Sequence, residues 1–311
     1  MRKRRGRASR ARSGVPATED RGQRTEDRAD QRVIAPFGRR RASVVENATS
    51  GGYRIITVLD AEGPVPAAGQ FYMLATEHGW SGDGERPFLP RAFSVAEATS
   101  GSGGVRLSFL LEDVGPGTHR LADLVEGEGL MLTGPLGRPF SMPRELNPDA
   151  AGAILVGGGI GLAPLAIWRR TLAEQGIAER SLLGFRDREH SGGLELFRCS
   201  EVRLASEDGH AGHRGYVTDL LELMLTGDSA ATAAVYACGP PAMLEAVRAL
   251  CEARGVVAEL AMESPMACGF GACFGCAMPL RSGGYMRLCV DGPVVRAADV
   301  ETALVEGAGH R

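Results

Sequence analysis

Four cysteines near the C-terminus carry the most specific chemistry in the chain. Cys268, Cys273, Cys276 and Cys289 follow the spacing C-x4-C-x2-C, with twelve residues before the last thiol. Thiolates in that order match the plant-type pattern for a [2Fe–2S] cluster. Gly269, Gly271 and Gly275 let the backbone turn tightly around an inorganic core, because glycine alone reaches positive φ without strain. A small neighbour such as Ala272 leaves backbone N–H groups free to face sulfur. Two plainer readings stand beside this one, structural zinc and a pair of disulfides. Zinc ribbons use two separated C-x2-C knuckles, whereas the first pair here is spaced by four. A disulfide framework suits a small secreted domain rather than a chain of 311 residues.

A second constellation can hold a nucleotide. Gly157, Gly158, Gly159, Ile160 and Gly161 follow the apolar run Ala153–Val156 and precede a helical pattern. At such a junction the backbone can approach a pyrophosphate, and the helix N-terminus supplies N–H donors and positive potential. The strict GxGxxG fingerprint is absent, and a glycine turn used only for packing is the alternative. Cys238, Gly239 and Pro240 end a later strand of the same set. In an open parallel sheet both stretches face the crevice at the carboxyl ends of the strands. Cys238 then lies near a nicotinamide, or is a small buried residue before a Gly-Pro turn.

A third constellation is Arg91, Ala92, Phe93 and Ser94, with Gly115, Gly117 and Thr118 further on. Arg91 suits a phosphate and Ser94 a flavin ring atom. Gly117 and Thr118 open a helix, with Thr118 expected as its N-cap. In isolation these are an exposed arginine and a capping threonine.

The elements that must position these residues fall into four stretches. Residues 1–41 carry fourteen Arg or Lys against five acids and almost no apolar periodicity, so disorder is expected. Residues 42–147 read as short strands separated by Gly and Pro: Tyr53–Leu59, Phe71–Ala75, Ala92–Val95, Val105–Leu111 and Leu130–Leu132, with one helix through Leu121. That pattern predicts a small antiparallel barrel. Residues 148–262 alternate buried strand and helix, ending with a helix over Pro241–Arg254 and a strand over Glu259–Met262. Alternation of this kind predicts a parallel sheet covered on both faces. Residues 263–311 hold the cysteines, with a strand expected over Tyr285–Val290 carrying Cys289.

Composition narrows the class. Outside the basic arm the chain holds 21 basic and 33 acidic residues, a net charge of −12. Nothing in that acidic body is built to bind nucleic acid. There is no apolar run near the length of a membrane span and no secretory h-region after the basic start. Seven cysteines, with Cys199, Cys238 and Cys251 read as free thiols, suit a reducing cytoplasm.

In this order the pieces resemble the ferredoxin-reductase superfamily, and within it the electron-transfer subunits of class 1B dihydroorotate dehydrogenases. The resemblance covers about residues 42–295. Arg91, Ala92, Phe93 and Ser94 stand where that family has Arg-Pro-x-Ser at its FAD. Gly117 and Thr118 match its pyrophosphate turn. Leu110, Leu111 and Glu112 fall where flavin meets strand backbone. Gly134–Gly137 matches a family loop, Gly157–Pro164 its nucleotide loop, and Gly215–Thr218 a Gly-rich stretch before a helix. Cys268, Cys273, Cys276 and Cys289 match its cluster ligands. Ala92 replaces the usual Pro, and Glu112 sits where a basic residue is common.

The resemblance implies an antiparallel flavin-binding β-barrel, a parallel-sheet nucleotide-binding domain and a C-terminal [2Fe–2S] segment. It implies FAD, the cluster and NAD as cofactors, with no side chain needed as acid or base. It also implies an FMN-containing catalytic partner in a heterotetramer. NAD is taken from the family; Arg186 and Arg188, after the second strand, keep NADP open. The same fold serves reductase subunits of hydrogenases, sulfur reductases and transhydrogenase-type complexes. A zinc-stabilised nucleotide-binding module is the alternative from another class.

Overall fold

A computed structural model of the chain describes residues 32–35, 38–80, 87–198, 201–226 and 232–305. Most of the basic arm and Cys199 lie outside these residues.

The first unit of architecture is a closed six-stranded barrel. Its strands are β1 (Arg40–Ser50), β2 (Tyr53–Asp60), β3 (Phe71–Thr76), β4 (Arg91–Gly101), β5 (Gly104–Glu112) and β6 (Gly129–Leu136). They close in the order β1-β2-β5-β4-β3-β6, every pairing antiparallel. Alternate residues point inward, so Val44, Ile56, Val58, Leu107, Phe109, Leu130 and Leu132 fill the interior. Tyr72 packs edge-on against Phe109 with ring centres 5.7 Å apart. Each such side chain contributes about 1.5–3 kcal/mol by leaving water.

Strand β1 corrects the sequence reading, which placed the first strand at Tyr53 and the end of the disordered arm at residue 41. A bulge between Val44 and Glu46 breaks the alternation that would have revealed the strand. Helix α1 (Pro116–Ala122) lies between β5 and β6. The expected N-cap is also corrected. Gly115 caps the helix, and Thr118 sits one turn in. From there its hydroxyl reaches back, accepting from Gly115 N at 3.0 Å and Val114 N at 2.9 Å.

After the short helix α2 (Pro143–Leu146) the chain enters an α/β layer. Strands β7 (Gly152–Gly158), β8 (Glu179–Phe185), β9 (Val202–Ser206), β10 (His213–Arg214), β11 (Ala233–Cys238) and β12 (Val257–Ala261) run parallel. Helices α3 (Leu162–Glu174), α4 (Val217–Met224) and α5 (Pro241–Arg254) connect them. Helix α5 spans the expected residues because Pro241 opens it and left-handed Gly255 ends it. The parallel strands lie in the order β10-β9-β8-β7-β11-β12, so the connections reverse direction between β7 and β11.

The C-terminal segment forms a small hairpin, β13 (Ala277–Pro279) with β14 (Tyr285–Arg287), then β15 (Val294–Arg296). Strand β14 is shorter than expected and stops before Cys289, which lies in the following turn. Strand β15, unforeseen in the sequence, joins β12 antiparallel.

Barrel and sheet are bolted together by buried polar contacts. Glu259, fully buried on β12, accepts from Ser141 N and Ser141 Oγ, both at 2.8 Å. The Tyr236 hydroxyl donates to Ser141 O at 2.7 Å. Phe140, Trp168 and Tyr236 stack around this junction with centres 5.3–5.6 Å apart.

Candidate cofactor-binding site

A cavity of about 540 Å³ opens where all three segments meet. Arg91, Phe93 and Ser94 line it from β4, Ile160, Gly161 and Pro164 from the glycine loop, and Cys238 from the end of β11. Glu263, Met266, Ala267 and Gly275 close it from the cysteine segment. Its position follows from topology. Gly157 and Cys238 are register partners at the reversal point of the parallel sheet, where crevices form at carboxyl ends.

On the barrel side, β3 and β4 pair Phe71 with Ser94, Met73 with Ala92 and Leu74 with Arg91. The guanidinium of Arg91 sits against the start of α1. A Cβ on Gly117 would lie 2.6 Å from Arg91 Nε, so the guanidinium rests in the space glycine leaves at the helix start. Arg91 also lies 5.9 Å from the Trp80 ring centre and donates to Leu89 O. A fixed guanidinium beside backbone N–H groups fits a pyrophosphate. Ala92 and Leu110 also line the cavity. Leu111 is buried in the barrel. Glu112 lies at the barrel–sheet junction, 3.4 Å from His190 Nε2 and away from the cavity wall.

On the nucleotide side, packing accounts for much of the glycine content. A Cβ on Gly161 would lie 2.5 Å from the Cys238 carbonyl, and one on Gly158 2.5 Å from Met243 Sδ. The two loops therefore nest, with Gly239 and Pro240 against Gly158. Gly159 makes the turn at φ +52. The nested loops present α3 and its preceding 3-10 turn to the cavity through Ile160 and Ala163. Burial and the charge of Glu263 push the Cys238 thiol well above its ordinary range, so it faces the cavity neutral.

The four cysteines of the C-terminal segment are drawn together by backbone. Burial pushes the Cys268 thiol up, but N–H groups of Phe270, Cys273 and Ala272, with the Cys273 thiol, outweigh it and hold the group at about 6. Gly275 N and Cys289 N point at Cys273 Sγ and Cys276 Sγ, each at 3.5 Å. Burial and neighbouring Cys276 push Cys289 up to about 12. Cys276 and Cys289 are buried while Cys273 is exposed. N–H groups aimed at sulfur suit the negative charge of a thiolate-held cluster. Among the described residues no three His, Cys, Asp or Glu side chains converge on a single-ion point. Cys238 and Cys251 are free, buried thiols.

Sequence reasoning missed Glu263. It lines the cavity, and burial raises its carboxyl to about 7. The only signal was an acid between the apolar end of β12 and Cys268.

Comparison with known proteins agrees with this arrangement. Residues 263–301 match the model of the iron-sulfur cluster binding domain of dihydroorotate dehydrogenase B. A dihydroorotate dehydrogenase B (NAD(+)) electron transfer subunit from Fusobacterium nucleatum is 34% identical over 222 residues, covering 71% of this chain and 83% of its own. The subunit of that name from Bacillus caldolyticus is 36% identical over 217 residues, covering 69% and 80%. Among solved structures, an NADH-dependent reduced ferredoxin-NADP oxidoreductase gives a TM-score of 0.70 at 24% identity, over 84% of this chain and 90% of its own. A ferredoxin NADP+ reductase from Neisseria gonorrhoeae, with FAD and NADP bound, gives 0.57 at 17% identity, over 70% and 92%.

Proposed function

The chain belongs to the family of dihydroorotate dehydrogenase B electron transfer subunits, and from that membership we propose that it carries electrons from dihydroorotate, oxidised on a partner subunit, to NAD+. When bound, the [2Fe–2S] cluster would relay single electrons, FAD would gather two, and NAD+ would accept them as a hydride. The protein's part is to hold and orient.

One observation carries the reading: a single cavity is lined by the barrel, the nucleotide loops and the cysteine segment. From its wall Arg91, with the start of α1 against its guanidinium, would hold the FAD pyrophosphate, and Ser94 would bond a flavin ring atom. Ala92, Phe93 and Leu110 are the cavity's flavin-side wall, while Leu111 and Glu112 continue the same strand away from it. Thr118 stiffens the turn at Gly117 through its bonds to Val114 N and Gly115 N. Gly157, Gly158, Gly159 and Gly161, with Cys238, Gly239 and Pro240, shape the NAD side. Cys268, Cys273, Cys276 and Cys289 hold the cluster. No side chain acts as acid or base in this reading.

We place the partner, an FMN-containing dehydrogenase in a heterotetramer, against the face around Cys273. Phe270, Phe274 and Tyr285 are exposed there at 45%, 62% and 76%. Apolar rings beside an exposed cluster ligand support that docking, since electrons must enter where the cluster nears the surface. We place the assembly in the cytoplasm, where thiolates persist; among the described residues no helix is long and apolar enough to cross a membrane.

The test is dihydroorotate-dependent NAD+ reduction by the chain co-purified with its candidate partner, against the partner alone. NADH forms only with both present. A stable pair that never reduces NAD+ would refute the assignment and favour a hydrogenase or sulfur-reductase donor.

A further inference from the structure

Arg287, at the end of β14, touches each of the turns that carry the four cysteines. Its Nη1 donates to Gly271 O at 3.2 Å, in the turn between Cys268 and Cys273. Its guanidinium carbon lies 5.3 Å from the ring centre of Phe274, between Cys273 and Cys276. Its backbone pairs in register with Ala277, the residue after Cys276, and Cys289 follows two positions on. Asp291 steadies it, accepting from Arg287 N at 3.0 Å and lying 3.7 Å from Nε.

Phe274 gives these contacts a purpose. Among the described residues it is the one non-glycine with positive φ, at +58. Left-handed backbone is unfavourable for a residue with a bulky side chain. Burial does not hold Phe274 there, because 62% of it is exposed. A guanidinium over the ring supplies an attraction of the same order as that strain.

We propose that Arg287 is the positioning residue of the cysteine loop: one guanidinium pins the Gly271 and Phe274 turns to β14 and brings its positive charge into the turns between the cysteines. The inference rests on the four cysteines being cluster ligands. It has two separable consequences. The planar fork fixes loop geometry, which lysine cannot reproduce because its ammonium neither stacks flat nor spans both turns. The guanidinium charge balances the Asp291 carboxylate 3.7 Å from its Nε; without it that carboxylate stands unpaired beside the cysteine turns and disfavours the more negative, reduced state of an anionic centre, so the arginine raises its potential.

The experiment uses the full chain purified anaerobically with its FAD and cluster, as wild type, Arg287→Met, Arg287→Lys and Phe274→Leu. The ratio of FAD absorbance to protein reports folding. The electron paramagnetic resonance line shape of the reduced cluster reports loop geometry, and a redox titration gives its midpoint. Arg287→Met lowers the midpoint, broadens the line and bleaches several-fold faster in air. Arg287→Lys keeps the midpoint near wild type but broadens the line, and Phe274→Leu broadens it without a shift. Wild-type midpoint and line shape in Arg287→Met, at full cluster and FAD content, would overturn the proposal. If Arg287→Met fails to retain FAD, unchanged line shapes in both other variants overturn it. A wild-type chain that holds FAD but shows no reducible [2Fe–2S] signal refutes the ligand assignment instead.

Discussion

Replacing Glu263 by glutamine tests the electrostatics of the cavity. Glutamine keeps the shape of the side chain and removes its charge. In the unfolded chain the carboxyl titrates near 4.3; folded, burial raises it to about 7. Its contribution to stability is therefore fully present below about pH 4.3 and is lost as pH rises through about 7. At 1.36 kcal/mol for each tenfold change in proton affinity, ionising it in the fold costs about 4 kcal/mol at most. A chain of this size shifts its melting midpoint by about 2–4 °C per kcal/mol. The variant thus melts about 8–16 °C above wild type at pH 8.5, and the gap narrows to a few degrees at pH 5. Flavin fluorescence released on heating the FAD-loaded protein is the assay. A gap of the same size at both pH values would refute the reasoning, because removal of a buried charge must depend on whether the charge is there.

Further outcomes follow from single contacts. Cys273→Ser abolishes the visible and paramagnetic signature of the cluster but leaves FAD in place, whereas Cys251→Ser, a buried thiol on α5, leaves both. Arg91→Ala weakens FAD binding by about tenfold to a hundredfold, the worth of one charge-assisted hydrogen bond of about 1.5–3 kcal/mol, measured by fluorescence titration; unchanged affinity would remove Arg91 from the pyrophosphate site. Tyr236→Phe deletes the 2.7 Å bond to Ser141 O at the barrel–sheet junction. It costs about 1 kcal/mol in denaturant unfolding, with flavin binding retained.

What the sequence reveals and what it hides divide along physical lines. The apolar strands β2, β5, β7 and β11 are readable because burial dictates their residues. Strand β1 is not, because its bulge shifts the period midway. Thr118 shows the limit of local capping rules: the residue type was right for a helix start, but glycine at 115 took the cap and left the hydroxyl to bond from inside the first turn. The spacing of the cysteines is local and therefore visible. That Glu263 shares one cavity with Arg91 and Cys238 depends on three segments distant in sequence, which no local pattern encodes. The glycine loop carried a double meaning from the start, and nesting against Cys238 and Met243 explains Gly158 and Gly161 by packing.

Strand β15 changes what kind of object the cysteine segment is. Ala261 and Val294 are register partners, and Met262 N donates to Pro293 O at 2.9 Å. The chain leaves the sheet and re-enters it at the same place. The whole segment between is thus the overgrown loop of an antiparallel hairpin, with both ends anchored on adjacent strands. Closing a loop between anchored ends adds little entropy however long the excursion grows. Such an excursion is held twice over: by its two ends at one sheet edge, and by Gly269 against Met73 and Leu136 and the buried Met278 and Leu288, which seat it on the core it returns to.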